Sequence, residues 1–133
     1  MRFHARGKMT AFGGPSDAGV GPKTGLALVQ ESDVERLKEY FLAEPPLGVT
    51  GLARRLNPDA LYIACRWDYK DISKEELTEV MATVTNPLSG VTAAAKPVDW
   101  GPKPETGRVA GLSPALIKRL GLQTDDDVDV SIV

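Results

Sequence analysis

Apolar and polar positions change their spacing several times along this chain, and each change marks an element. Gly7 to Gly14 reads as a short first strand that breaks at the paired Gly13 and Gly14. The stretch after it, to Gly25, is rich in Gly, Pro, Asp and Ser, as loops are. Ser32 and Glu35 form a capping box, and Val34, Leu37, Phe41 and Leu42 recur at helical spacing. That spacing predicts a helix over 32–43, ended by Pro45-Pro46. A second helical turn, Gly51 to Leu56, follows Thr50 as cap and closes at Asn57-Pro58.

From Ala60 the period becomes two. Leu61, Ile63, Cys65 and Trp67 alternate with Tyr62, Ala64, Arg66 and Asp68, the pattern of a half-buried strand. Ser73 with Glu76 predicts another capped turn. Val80, Ala82 and Val84 then alternate with Met81, Thr83 and Thr85, and Asn86 to Gly90 turns this strand back into Val91–Val98 as a hairpin. Near the C-terminus Ser113 caps a helix with Pro114 at its first position, a stripe of Leu116, Ile117 and Leu120, and Gly121 as the left-handed stop. Leu112 is placed to staple onto Ile117. Val128, Val130 and Ile132 alternate with Asp127, Asp129 and Ser131 in a last strand. No repeat is visible. Pattern alone gives a mixed or mainly β domain.

Composition narrows the functional classes. At 133 residues the chain is expected to be one domain, 1–133, with a core that requires neither metal nor disulfide. A formal net charge of -2 leaves no electrostatic footprint for nucleic acid, whereas a neutral carbohydrate requires none. Cys65 is the single cysteine and stands at an inward position, so it is read as a core residue. One His and one Cys make no zinc set, and the glycines around 13–25 lack the strand–helix context of a phosphate loop. Neither metal nor cofactor is expected. No apolar run reaches the roughly 18 residues of a membrane span. Met1 to Lys8, which includes His4, reads as a basic tail without the apolar segment of a secretory signal. A protein of this sequence that acts outside the cell would reach its target by a signal already removed, by phage release or by domain fusion.

The densest signal lies between Lys96 and Val133. A strand runs into Val98-Asp99-Trp100-Gly101-Pro102, then Gly107-Arg108, Leu112-Ser113-Pro114, a helix, Leu120-Gly121 and a final strand. That order resembles the C-terminal half of the double-psi β-barrel of rare lipoprotein A, a bacterial lytic transglycosylase, and of expansins. The resemblance covers Leu77 onward, with a weaker match at Lys8 to Gly14. It leaves about 15–58 as an insertion. It implies a mainly β fold, a six-stranded double-psi barrel with short peripheral α-helices. It also implies a protein of the cell envelope, secreted or delivered by phage, that acts on peptidoglycan or a related polysaccharide.

In that family the Asp of the D-x-G-P turn works as acid or base in the glycan groove. The matching residue here is Asp99, with Trp100 beside it to exclude water and stack on a sugar. Phe12-Gly13-Gly14-Pro15-Ser16-Asp17 is similar to the Asp-bearing loop of expansins, which nominates Asp17 as a second carboxylate. The cluster Arg66, Trp67, Asp68 and Tyr69 offers Asp68 as a replacement acid and the other three as sugar contacts. Its bland alternative is an Arg66–Asp68 surface ion pair with Trp67 packed inward. The chain departs from the family at Gly111, where the relatives carry Asp, and near Arg54 and Arg66, where rare lipoprotein A carries Glu and His. Three functions follow: a lytic transglycosylase working with one Asp, a non-catalytic wall-binding module, or a scaffold domain of an envelope or phage assembly.

Overall fold

The structure, a computed structural model describing residues 1–133, is a closed barrel of six strands with a few short helices outside it. The elements in chain order are β1 (Phe3–Ala11), α1 (Leu52–Arg55), β2 (Tyr62–Cys65), α2 (Lys74–Leu77), β3 (Ala82–Thr85), β4 (Thr92–Trp100), β5 (Arg108–Leu112), α3 (Pro114–Leu120) and β6 (Asp127–Ile132). Around the barrel the strands run β1-β5-β2-β4-β3-β6. Two pairs are parallel, β1 with β5 and β2 with β4; the others are antiparallel. Closure leaves no free sheet edge.

This pairing contains a two-fold relation that the sequence does not announce. Exchanging β1 with β4, β2 with β5 and β3 with β6 turns β1–β5 into β4–β2 and β1–β6 into β4–β3. It returns β2–β5 and β3–β6 to themselves. The registers place the axis at the Ala64–Gly111 pair: Ala64 faces Asp99 on β4, and Gly111 faces Thr10 on β1. Asp99 and Thr10 are therefore equivalent positions at the ends of two long strands. The peripheral helices α2 and α3 also correspond, and each carries a Ser cap, Ser73 on the Glu76 N–H and Ser113 on the Leu116 N–H.

Two apolar clusters hold the molecule. The barrel cluster contains Met9, Ile63, Cys65, Val84, Ala110, Leu112, Val128 and Val130 of the strands, joined by Leu77 of α2 and by Leu116 and Leu120 of α3. The second cluster lies outside the barrel wall, where Leu26, Val29, Leu37, Phe41, Leu52 and Leu56 cover Tyr62 and Val98. The 15–58 segment is thus packed rather than loose. It also changes β2, which the alternation reads as half-buried: all four of its residues are buried, because the second cluster covers its outer face.

Several sequence expectations are corrected. β1 starts at Phe3, not Gly7, since His4, Arg6 and Lys8 are the outward positions of a strand paired with β6. His4 belongs to this strand and meets Asp129 at 2.8 Å. The 32–43 helix is replaced by two 3-10 turns, Glu31–Asp33 and Lys38–Tyr40. Phe41 adopts extended backbone and bridges Leu56, while the Leu42 N–H bonds the Arg55 carbonyl, so the chain cannot continue as helix. Asp33, not Glu35, reaches back to cap, accepting the Gln30 N–H at 2.8 Å. Gly51 rather than Thr50 occupies the N-cap of α1. β2 ends at Cys65, leaving Arg66 to Asp68 outside it, and β5 is a strand that the pattern does not show.

Candidate functional site

β4 delivers Asp99 to one end of the barrel, and its main chain is fixed there by two indoles. The Trp67 Nε1–H donates to the Asp99 carbonyl at 2.9 Å, and the Trp100 Nε1–H donates to the Trp67 carbonyl at 2.9 Å. The Gly101 N–H adds a bond to the Cys65 carbonyl at 3.1 Å. A carboxylate at the end of a strand tied in this way has little freedom to wander.

The side chain of Asp99 is half-buried at a cleft of about 510 Å³. Thr10, Phe12, Ala64, Trp100, Arg108 and Gly111 are among the residues around it, together with the loop from Asp17 to Val20. Asp99 Oδ1 accepts the Ala27 N–H at 2.8 Å, a bond from the 15–58 segment rather than from its own turn. Burial raises the Asp99 pKa above its ordinary 3.8, and the Ala27 and Trp100 amide bonds oppose that rise without cancelling it.

The folded protein holds this proton more tightly than the unfolded chain, so the stabilisation is complete below the unfolded pKa. It is lost as pH rises from about 3.8 through the higher folded value. Asn keeps an acceptor for the Ala27 amide and does not ionise. Across that window wild type is therefore expected to lose stability relative to Asp99→Asn, as urea unfolding at a series of pH values would show. Parallel curves would contradict the raised pKa.

Asp17 borders the same cleft, but both carboxylate oxygens are engaged. Oδ2 accepts the Gly13 N–H at 2.7 Å and Oδ1 the Gly19 N–H at 2.8 Å. Gly13 has φ of +77° and a Cβ there would stand 2.7 Å from the Tyr62 hydroxyl, so this loop is built around the glycine. Asp17 organises the loop. Arg54 fixes its far end, donating from Nε to the Val20 carbonyl at 2.9 Å. Arg108, also on the cleft, is held in a two-pronged bond to Asp125, at 2.8 and 3.1 Å.

The 66–69 cluster divides. Trp67 is 2 % exposed and packs on Phe3 with ring centres 5.0 Å apart, so it is a core residue and cannot contact a sugar. Asp68 turns onto its own loop, accepting the Lys70 N–H at 2.9 Å, and does not border the cleft. It cannot serve as the replacement acid there. Arg66 makes no ion pair with Asp68, and its Nε is buried without a partner. Tyr69 is 39 % exposed. Burial raises its pKa, and the Asp99 charge raises it further, which places the phenol in the electrostatic neighbourhood of the site. Trp100, 37 % exposed, borders the cleft. Cys65 is fully buried, its thiol pushed up to about 12 by burial, in keeping with a core role.

Thr10 and Phe12 also line the cleft; neither carries charge, and both lie inside the strand that the sequence predicts over Gly7 to Gly14. At Gly111 the sequence shows only the absence of the acid that the resemblance implies. A Cβ on Gly111 would lie 2.8 Å from Phe12 Cβ and 3.3 Å from its Cγ. Phe12 occupies the space into which a side chain at 111 would grow, so the carboxylate of the resembling family cannot be seated here. Gly111→Ala is expected to cost about 1–3 kcal/mol through this overpacking, seen as a lower urea midpoint. An unchanged midpoint would mean that Phe12 yields freely.

No histidine, cysteine or carboxylate group is arranged as a metal site. No helix is long and apolar enough to cross a membrane. No protein-family model matches the chain, and no curated protein matches it in sequence.

Proposed function

We propose that this chain is a double-psi β-barrel that acts on peptidoglycan or a related polysaccharide, with Asp99 as both acid and base of glycan-strand cleavage. The observation carrying this reading is a half-buried carboxyl of raised proton affinity, fixed on a strand end at the edge of a cleft. The two parallel pairs and the two-fold exchange of strands support the double-psi assignment. The resemblance of the D-x-G-P and L-S-P segments supports the wall polymer as ligand and the envelope, or delivery by phage, as the place of action.

The chemistry requires one proton to travel out and back. Protonated Asp99 gives its proton to the glycosidic oxygen as the bond to the anomeric carbon breaks, leaving an oxocarbenium-like centre. A hydroxyl of the same sugar then bonds to that carbon, closing an anhydro ring, and its proton returns to Asp99. No water is consumed and Asp99 ends as it began. A second carboxylate to activate water is not called for, in keeping with Asp17 being occupied by two amides.

Wall binding without cleavage is the second reading, favoured by the Ala27 amide bond, which makes Asp99 a clamp for the 15–58 segment as well. Incubation with purified sacculi separates the two. Soluble fragments released into the supernatant support cleavage; protein pelleting with sacculi that stay intact supports binding alone. Failure to pellet and to release overturns both.

A further inference from the structure

Resting on the reading of Asp99 as acid and base, we propose that the main-chain amide of Ala27 is a positioning group of the site. It holds Oδ1 as the carbonyl oxygen of the protonated carboxyl and leaves the travelling proton on Oδ2. The 15–58 segment thereby completes a site that β4 only begins.

The strap that carries this amide, residues 26–29, is anchored along its length. Leu26 and Val29 are buried in the outer cluster and Leu28 in the barrel cluster. Two successive amides then meet the end of β4. The Ala27 N–H reaches Asp99 Oδ1 at 2.8 Å, and the Leu28 N–H reaches the Val98 carbonyl at 3.2 Å. Upstream, the Thr50 and Gly51 amides bond the Pro22 carbonyl at 3.0 and 2.9 Å, and the Ala53 amide bonds the Thr24 carbonyl at 3.1 Å. A Cβ on Gly51 would stand 2.3 Å from that Thr24 oxygen, so the two lengths of chain meet with no space between them. Downstream, Asp33 accepts the Gln30 N–H at 2.8 Å and Arg55 holds Glu31 at 2.9 Å. A donor clamped on both sides keeps its aim while the carboxyl gains and loses a proton.

The oxygen assignment follows from acceptor strength. In a protonated carboxyl the carbonyl oxygen accepts an N–H better than the hydroxyl oxygen does. The same bond is stronger to the ionised group, so it restrains the proton affinity that burial raises. The Trp100 amide, next in the chain, acts in the same direction. Other titratable neighbours are occupied: Asp17 by two amides and Arg108 by Asp125. Burial and the Asp99 charge keep the Tyr69 phenol neutral, and residues 26–29 carry no charge.

Ala27→Pro deletes the N–H. Lactic acid in place of Ala27, an ester for the amide, deletes it with the chain's shape kept, and decides the matter if the proline variant does not fold. Without the donor, carbon-13 NMR of the Asp99 carboxyl should show a midpoint about one pH unit higher. Maximal release from sacculi should fall about tenfold, and its alkaline limb should move up by the same unit. Ala27→Gly retains the amide and should match wild type in both. In wild type, the scalar coupling across the bond, from the Ala27 nitrogen to the Asp99 carboxyl carbon, should survive below the midpoint. An unmoved midpoint and profile overturn the positioning role. Coupling that vanishes as Asp99 protonates overturns the oxygen assignment. Wild type that releases nothing overturns the glycan reading, which the carboxyl titration distinguishes from a failure of Ala27.

Discussion

Asp99→Asn should release soluble fragments from sacculi at least about 100-fold and up to about 10,000-fold more slowly than wild type, the range for removal of a general acid–base group. Binding to sacculi should survive. Asn is almost isosteric and its amide oxygen can still accept the Ala27 N–H, so the 15–58 segment stays docked. The Trp67 and Trp100 bonds go to main-chain carbonyls and are untouched by the change. What the proposed mechanism loses is the proton. A variant that pellets normally yet releases nothing isolates the chemical role, whereas full release by Asp99→Asn would move the acid elsewhere. Asp17→Asn should do less, because that carboxylate is a loop brace; its loss weakens two amide bonds rather than a proton transfer.

Trp67→Ala should be the most destabilising change in the 66–69 cluster, by about 3–5 kcal/mol, or a melting temperature lower by roughly 10–20 °C. Three losses combine: the buried indole, its packing on Phe3, and its bond to the Asp99 carbonyl. The last also frees the end of β4. Tyr69→Ala should leave the melting temperature nearly unchanged, since that ring is exposed and its Lys74 contact is a surface one at 5.4 Å. Had both aromatics been sugar contacts, the two variants would melt alike and differ only in binding. A thermal melt of each decides between a core and a surface assignment.

How much of this was legible depends on whether the deciding contacts are local. The Ser73 and Ser113 caps and the Gly121 stop are settled within one turn of chain, and the structure has all three. The 82–85 and 92–100 hairpin and the last strand follow from alternation and a tight turn. By contrast, the apolar spacing of Leu37 and Phe41 is shared by a helix and by any segment that lays both side chains on an outer barrel wall. Only the distant partner Leu56 decides. β5 was hidden for the same reason. Val109-Ala110-Gly111 has no clean period because the strand lies between β1 and β2, and its small residues answer to Phe12 and Ala64.

The lining of the cleft is legible in the sequence only where Asp99 marks it. The D-x-G-P resemblance nominates Asp99 and Trp100, and both border the cleft. Adjacency nominates Trp67 and Asp68, but the chain leaves β2 at Cys65 and sends the indole inward and the carboxylate back onto Lys70. Thr10 and Phe12 carry no charge to mark them. Their place emerges from the register that sets Thr10 opposite Gly111 as Asp99 is set opposite Ala64.

The most direct test is the chemical nature of the new ends that wild-type protein makes on purified peptidoglycan, read by mass spectrometry of the released fragments. A single carboxyl passing a proton out and back predicts sugar ends closed as anhydro rings, each lighter by one water than a hydrolysed end. Hydrated reducing ends, or intact strands with no fragments, would contradict it.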